Sequence, residues 1–175
     1  MTVDENVSYP LVNGVNRELS DTELESRVKE VLDFVGLNSV GEKYPAELSG
    51  GMRRRVGIAR AIVTRPPLIL YDSPTAGLDP ITAYRIIALV MRLRDTRNTT
   101  SIVVTNRHQD GYMLANYRYD PQRGRPVKAG NNPSQRRFLV LREARLAFQG
   151  SLVEMEASPD PYTARFAGRK IAAVK

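Results

Sequence analysis

The stretch that decides the fold is residues 47–55, which read E-L-S-G-G-M-R-R-R. Ser49 is placed to cap a helix that runs to about residue 64, because its side-chain oxygen can accept a backbone N–H of the first turn. Gly50 and Gly51 carry no side chain, so those N–H groups and the positive end of the helix dipole stay open to an anion. The pattern predicts a phosphate-binding helix N-terminus. A glycine-rich loop before an ordinary amphipathic helix is the alternative.

A second stretch, residues 68–74, reads L-I-L-Y-D-S-P. Pro66 and Pro67 end the preceding helix, and the short apolar run that follows predicts a buried parallel strand. Asp72 ends this strand at its carboxyl side, where open α/β sheets bind ligands. A carboxylate oxygen there is suited to Mg²⁺, directly or through its waters. An acid that is merely solvated at a strand end is the alternative.

Together with A-G-L-D at residues 76–79, these stretches resemble the nucleotide-binding subunit of ABC transporters. Residues 48–52 are similar to the signature motif of that family, and residues 68–72 are similar to its Walker B strand. Residues 76–79 are similar to its D-loop, and the three motifs occur in the family's order and spacing. The sequence around residues 53–55 and 71–72 resembles that of the ATPases of lipid-handling, Mce-associated importers.

The resemblance implies an α/β fold, the parallel sheet of a RecA-like P-loop NTPase with the helical subdomain of ABC ATPases. Residues 1–64 are expected to form the helical subdomain, which ends in the signature helix. Residues 65–175 are expected to form the C-terminal part of the ATPase core, with a flexible loop at 117–136. The motif G-x-x-x-x-G-K-[S/T] does not occur in the 175 residues. The N-terminal part that includes the P-loop is therefore expected to be absent.

Local patterns predict the other elements. Ser20 and Glu23 form a capping-box pattern before a helix over 21–35, and Gly36 is a natural cap at its end. Asp79 and Pro80 begin a further helix as N-cap and first helical residue. A loop or short helix is expected at 3–7, and the Asp79 helix is expected to end near 95. A buried strand at 100–105 and a short helix at about 109–115 should follow. Further on, the expected elements are strands at 138–142 and 145–149 around a turn at 143–144, and a small helix at 152–157 before a frayed basic tail.

The resemblance also implies a shared ATP site at the interface of a dimer. The γ-phosphate of ATP held by a partner subunit's P-loop would be faced by Ser49, Gly50, Gly51 and Met52. Asp79 would cross the same interface. The cofactors implied are ATP and Mg²⁺, with Asp72 as the metal ligand.

Two positions depart from the family pattern. The carboxylate that normally follows the Walker B aspartate is replaced by Ser73, whose hydroxyl cannot accept a proton at neutral pH. The position of the family's switch histidine holds Asn106, which can hydrogen-bond a phosphate but cannot become a cation. His108, the only histidine, lies two positions on and is either a substitute or a surface residue. No catalytic residue is assigned, and ATP hydrolysis by this chain is expected to be slow or absent.

The composition limits the classes of partner. A chain of 175 residues that is 42% hydrophobic can bury a core, and zero cysteines exclude disulfides and Cys-ligated metals. The net charge of +7 comes from residues 118–175, which carry 12 basic and 5 acidic side chains. Such charge could meet an anionic membrane or nucleic acid. No nucleic-acid-binding motif accompanies it, so no nucleic acid is expected as a partner.

The leading expectation is an ATP-binding subunit of an ABC transporter that couples ATP binding and hydrolysis at a dimer interface to transport. This copy would be truncated and impaired. Its partners would be a second ABC ATPase subunit and transmembrane permease subunits, at the cytoplasmic face of the cell membrane. The alternative is a non-hydrolysing interaction module derived from such a subunit.

Overall fold

The computed structural model describes residues 1–14, 19–129 and 136–167. Their elements follow in the order α1 (Val3–Val12), α2 (Asp21–Val35), a 3-10 turn (Pro45–Glu47), α3 (Gly50–Ile62), β1 (Leu68–Asp72), α4 (Pro80–Arg97), β2 (Thr100–Val104), α5 (His108–Asn116), β3 (Tyr117–Asp120), β4 (Arg125–Lys128), β5 (Phe138–Arg142), β6 (Arg145–Gly150), α6 (Leu152–Glu156) and α7 (Pro161–Phe166). Within these ranges, no helix has the length and apolar character that a membrane crossing requires.

The chain divides into two compact units, Met1–Val104 and Thr105–Lys175. The expected boundary at residue 64, between a helical subdomain and the ATPase core, stays a prediction.

Helix α1 is longer than the sequence pattern predicted. It was expected to end near residue 7 but continues to Val12 through Pro10. The reason is burial, because Val3, Val7 and Leu11 recur at a spacing of four and are all buried. This apolar face outweighs the backbone hydrogen bond that a proline removes.

Helix α2 has the predicted bounds and caps. Ser20 caps its first turn in a capping box with Glu23, and Gly36 ends it at φ 69°. Arg55 of α3 donates hydrogen bonds to the carbonyl oxygens of Val35 at 3.0 Å and Gly36 at 2.8 Å. These bonds satisfy carbonyl groups at the end of α2 and fix α3 against it.

The core of the first unit is built on α3, which packs against α1, α2 and α4. Helix α3 ends at Ile62, slightly before the predicted residue 64. Its buried side chains are Val56, Ile58, Ala59 and Ile62, and those of α4 are Ala83, Ile86, Ile87, Leu89, Val90, Met91 and Leu93. At the surface of this unit, the Glu30 carboxylate accepts hydrogen bonds from Arg65 and Arg97 at 2.8 Å each.

Strands β1 and β2 form a parallel pair joined by α4, so the strand, helix and strand expected from the sequence form one β-α-β unit. The register runs from Leu68 opposite Thr100 to Asp72 opposite Val104. The prediction that both strands are buried is wrong. In β1 only Ile69 and Tyr71 are buried, while four apolar side chains on the two strands are exposed: Leu68 by 46%, Leu70 by 70%, Ile102 by 53% and Val104 by 57%. Successive strand residues point to opposite faces, and in the described chain only the Ile69 face is covered.

Residues 117–136 were expected to be a loop, and for residues 117–128 this is wrong. Strands β3 and β4 form an antiparallel hairpin, with Tyr117 opposite Lys128. Gly124 supplies the positive φ of 62° that the turn requires. Tyrosine and valine in these strands favour β-structure, and the turn residues between them close the hairpin. The end of the expected loop, residues 130–135, lies outside the described residues.

The second hairpin, β5 and β6, was predicted correctly and extends to Gly150. Glu143 and Ala144 have φ of 50° and 59°, the double left-handed conformation of a two-residue hairpin turn. The tail begins later than expected, because Asp160 caps α7 by accepting the N–H groups of Tyr162 and Thr163. The end of the expected basic tail, residues 168–175, lies outside the described residues.

Candidate functional site

The N-terminus of α3 has the predicted cap. The Ser49 Oγ accepts the N–H of Met52 at 3.2 Å, and the Arg53 N–H donates to the Ser49 carbonyl oxygen at 2.9 Å. The first-turn N–H groups of Gly50 and Gly51 have no acceptor within the helix, as in any α-helix. Two backbone donors therefore remain at the positive end of the helix dipole.

The two glycines have different surroundings. A Cβ on Gly51 would lie 2.4 Å from the Thr82 Cγ2, whereas a Cβ on Gly50 would lie 3.7 Å from the Leu78 Cδ2. The first distance is too short for a real side chain, and the second is ordinary van der Waals contact. Gly51 is thus required by packing against α4, and Gly50 has room for a methyl group. Phosphate binding at this helix N-terminus stays a prediction, as does its alternative, a glycine-rich loop before an ordinary amphipathic helix.

Asp79 caps α4 as predicted. Its Oδ1 accepts the N–H groups of Ile81 and Thr82, both at 3.0 Å. Hydrogen bonds from Thr82, through its side chain and then its backbone, lower the pKa of Asp79 below its ordinary value of 3.8. Since Thr82 also contacts Gly51, the N-termini of α3 and α4 adjoin. The structure therefore brings Ser49, Gly50, Gly51 and Met52 close to the start of α4.

Asp72 lies at the exposed carboxyl end of β1, as predicted. The Ser73 hydroxyl donates to its Oδ1 at 3.2 Å, and the Ser73 N–H donates to the Val104 carbonyl oxygen at 2.9 Å. Ser73 has φ 45°, in the left-handed region. A non-glycine residue there costs of order 1–3 kcal/mol and is often found at functional sites.

Asp72 and Ser73 offer two oxygen ligands side by side. In the described part of the chain, no group of three or more His, Cys, Asp or Glu side chains could hold a metal ion. Mg²⁺ does not require such a cage, because it keeps several waters and completes its shell with substrate phosphates. These residues therefore fit Mg²⁺ bound together with a phosphate, and the metal role of Asp72 stays a prediction.

The loop after β2, in the second unit, is organised by residues that the sequence did not single out. The Thr105 Oγ1 donates to the buried Asp110 carboxylate at 3.0 Å and accepts the Arg107 N–H at 3.1 Å. Asn106 and His108 are both exposed, and His108 opens α5. The sequence did contain a pattern that could have predicted this contact: Thr105 precedes a predicted helix, and Asp110 lies in the first turn of that helix.

Thr82 and Arg53 were also missed. Thr82 touches both Gly51 and Asp79, and Arg53 donates to the Leu48 carbonyl oxygen just before the Ser49 cap. The contact of Arg53 with the Leu48 carbonyl oxygen has no sequence signal. The position of Thr82, in the first turn after the Asp79 cap, was visible, but its contact with Gly51 depends on helix packing.

The sequence and the fold of this chain are similar to those of known proteins. The family model described as ABC transporter matches residues 1–76. The methionine import ATP-binding protein MetN of Corynebacterium efficiens is 38% identical over 126 residues, covering 72% of this chain and 34% of the relative. The MetN protein of Corynebacterium jeikeium is 34% identical over 160 residues, covering 91% of this chain and 37% of the relative. The chain thus spans about a third of the length of these relatives, whose names do not support the finer resemblance to Mce-associated importers.

Two solved structures have the same fold. The dimeric structure of a post-hydrolysis state of the ATP-binding cassette MJ0796, bound to ADP and Pi, matches with a TM-score of 0.64 and 28% identity. The dimeric structure of MJ0796, a bacterial ABC transporter cassette, matches with a TM-score of 0.65 and 28% identity. Each match covers 86% of this chain and 56% of the solved chain. The α/β architecture is therefore that of part of a known ATP-binding cassette.

Proposed function

We propose that this chain, which represents part of an ABC transporter ATP-binding domain, completes a composite ATP site at the interface with a second ATPase subunit. In this site the γ-phosphate of ATP bound by the partner is contacted by Ser49, Gly50, Gly51 and Met52. Asp79 contributes from the adjoining start of α4. The observation that carries the proposal is the α3 N-terminus, where two backbone donors have no acceptor within the helix and Gly50 leaves room beside them.

The charges around α3 support an anion at this end. Acidic side chains are favoured in the first turn of a helix, and α2 carries Asp21 and Glu23 there. The first turn of α3 carries no acidic residue, and it is followed directly by Arg53 and Arg54. An anion from outside the chain would complement both the helix dipole and these arginines.

The groups near Asp72 are better suited to metal and phosphate binding than to proton transfer. Asp72 would hold Mg²⁺ through its carboxylate, while Ser73 offers a hydroxyl where a general base would need a carboxylate or imidazole. Hydrolysis in the composite site would therefore depend on the partner's groups. This chain would orient and stabilise the phosphate.

The partners follow from this assignment. A second ABC ATPase subunit would supply the P-loop, and permease subunits would bring the dimer to the cytoplasmic face of the membrane. The methionine-import names of the relatives support methionine as the transported solute. The second candidate function is a docking module with no part in hydrolysis, which Ser73 and Asn106 favour.

The ATPase rate of a mixed dimer distinguishes these functions. A complete ABC ATPase subunit from the same organism would be measured alone, with the wild-type chain and with the Ser49→Arg chain. Removing donors aimed at transition-state charge typically costs about 10²–10³ in rate, so we expect at least that loss in the Ser49→Arg complex. Ser39→Arg, at another exposed serine, is the matched control for added charge. Equal rates with wild type and Ser49→Arg, with both complexes formed, would leave only the docking function.

A further inference from the structure

A cavity of about 340 Å³ lies in the first unit, beside the end of α3 and the start of β1. Its apolar lining consists of Pro66 together with Ile62, Ile69 and Leu93, and the last three are buried. Small-molecule pockets in proteins have volumes of about 300–1,000 Å³, so this cavity is at the lower end of that range. It therefore has room for a small molecule whose body is apolar.

The charged side chains that line this cavity are Glu30, Arg65 and Arg97. Two positive charges and one negative charge give the lining a net charge of +1. The Glu30 carboxylate accepts one hydrogen bond from each arginine, both at 2.8 Å. A guanidinium carries five N–H donors, so each arginine can bond a second acceptor while it holds Glu30. The lining is therefore suited to a ligand with one negative charge.

The Arg97 guanidinium is held in position by an aromatic ring. Its central carbon lies 4.6 Å from the centroid of the Phe34 ring, which is a cation–π contact. Arg92 lies over the same ring at 4.1 Å and donates to the Phe34 carbonyl oxygen at 2.9 Å. The Arg97 side chain is 24% exposed, so a ligand can reach it. A guanidinium that is already ordered loses little freedom when a ligand binds.

Arg65 adopts a backbone conformation that its position in the sequence disfavours. Its φ is 53°, in the left-handed region, and it directly precedes Pro66, which favours an extended conformation. The Arg65 N–H donates to the Ile62 carbonyl oxygen at 2.9 Å, and this bond holds the turn after α3. Backbone strain of this kind is concentrated at functional sites. Here it places an arginine with a 56% exposed side chain in the lining of the cavity.

We propose that this cavity binds a small monocarboxylate with a short aliphatic chain. The carboxylate contacts Arg65 and Arg97, because planar guanidinium groups pair with carboxylates in a bidentate geometry. The aliphatic chain contacts Ile62, Ile69 and Leu93, because this contact removes its methylene groups from water. No nucleotide and no partner subunit takes part, so the inference does not depend on the composite ATP site.

The test compares hexanoate, acetate, hexanol and hexylammonium as ligands of the 175-residue chain. Dissociation constants are measured by NMR titration of protein with labelled isoleucine and leucine methyl groups. We expect hexanoate to bind at least about tenfold more tightly than acetate, since its additional methylene groups leave water. It should exceed hexanol and hexylammonium by a similar factor, because neither carries a negative charge for the arginines. Nuclear Overhauser effects should connect the hexanoate chain with the methyl groups of Ile62, Ile69 and Leu93.

Variants of the charged lining make the test specific. Arg65→Gln and Arg97→Gln should each raise the hexanoate dissociation constant about fivefold or more, because each removes charged donors. Arg85→Gln is the matched control, since it removes an exposed arginine of α4 that does not line the cavity, and it should bind hexanoate like wild type.

Circular dichroism shows whether each variant folds, and the comparison of ligands on the wild-type chain decides the proposal where a variant does not. The proposal is overturned if acetate or hexanol binds as tightly as hexanoate. It is also overturned if the Overhauser effects place hexanoate at the exposed Leu70 side chain instead, or if Arg65→Gln and Arg97→Gln bind hexanoate no more weakly than Arg85→Gln.

Discussion

At the scale of single residues, the main result is that two adjacent glycines have different surroundings. Gly51 touches Thr82 so closely that a side chain has no room, whereas Gly50 stands clear of α4. A methyl group at Gly50 would therefore fit beside the helix N-terminus, whereas one at Gly51 would not. Ser49 fixes the same turn by capping Met52.

Gly51→Ala should destabilise the chain by about 1–3 kcal/mol, because its Cβ would overlap the Thr82 Cγ2. Adding Thr82→Ser removes that methyl group and should restore most of the loss. Gly50→Ala should leave stability close to wild type. Urea unfolding followed by circular dichroism measures all four proteins. A Gly51→Ala loss that Thr82→Ser does not relieve would show that the contact is not the cause.

At the scale of elements, helix ends are well defined by short sequence patterns. Ser20, Ser49 and Asp79 were all assigned as N-caps from sequence, and each accepts the expected first-turn N–H group. Capping could be predicted because its partners lie within three residues of each other. The length of α1 could not, because it depends on burial against other helices.

The Asp79 cap should make stability depend on pH. Its pKa is lowered from 3.8 in the folded state, so the carboxylate stabilises the fold above that value, and this contribution is lost as the pH falls through the lowered pKa. Asp79→Asn keeps a capping oxygen but does not titrate. Wild type should therefore exceed Asp79→Asn in stability at neutral pH, and the difference should shrink as the pH falls below 3.8 and through the lowered pKa. A difference that is constant from neutral to acid pH, measured by thermal unfolding, would contradict this.

The sheet shows what periodicity could not predict. The apolar run of β1 indicated burial on both faces, yet its covered face carries only Ile69 and Tyr71. The strand and its parallel pairing could be predicted from local sequence, since α4 is long enough to connect β1 with β2. Burial of the second face requires segments that pack on it, and those are not encoded within the strand.

Ile69→Thr and Leu70→Thr form a matched pair that tests this description. Ile69 is buried, so its change to threonine should cost about 2 kcal/mol or more through lost packing and a buried hydroxyl. Leu70 is 70% exposed, so the same change there should lie within about 0.5 kcal/mol of wild type. Equal losses at both positions would show that the outer face is covered in solution.

At the scale of the whole molecule, we propose that the candidate site is one side of a shared site. The α3 and α4 N-termini could be placed from sequence because each motif is contiguous. Their adjacency through Gly51 and Thr82 required the structure. The roles of Asn106 and His108 stay predictions, and the contacts around them are made by Thr105 and Asp110.

The chain alone should bind ATP weakly. Its 175 residues contain no G-x-x-x-x-G-K-[S/T] motif to surround the β- and γ-phosphates, and a helix N-terminus with two free donors is a small part of such a site. Titration with a fluorescent ATP analogue should show no micromolar site. A one-to-one micromolar isotherm would mean that the phosphate site lies elsewhere in the chain.

The most direct test of the composite site is the effect of ATP on association with a complete ABC ATPase subunit whose catalytic carboxylate has been removed, so that ATP stays bound. Affinity would be measured with and without Mg²⁺-ATP for the wild-type, Ser49→Arg and Ser39→Arg chains. We expect ATP to tighten binding of the wild-type and Ser39→Arg chains. Ser49→Arg should abolish this effect without changing the affinity in the absence of ATP. Association of the wild-type chain that is the same with and without ATP, or an ATP effect that Ser49→Arg retains in full, would contradict it.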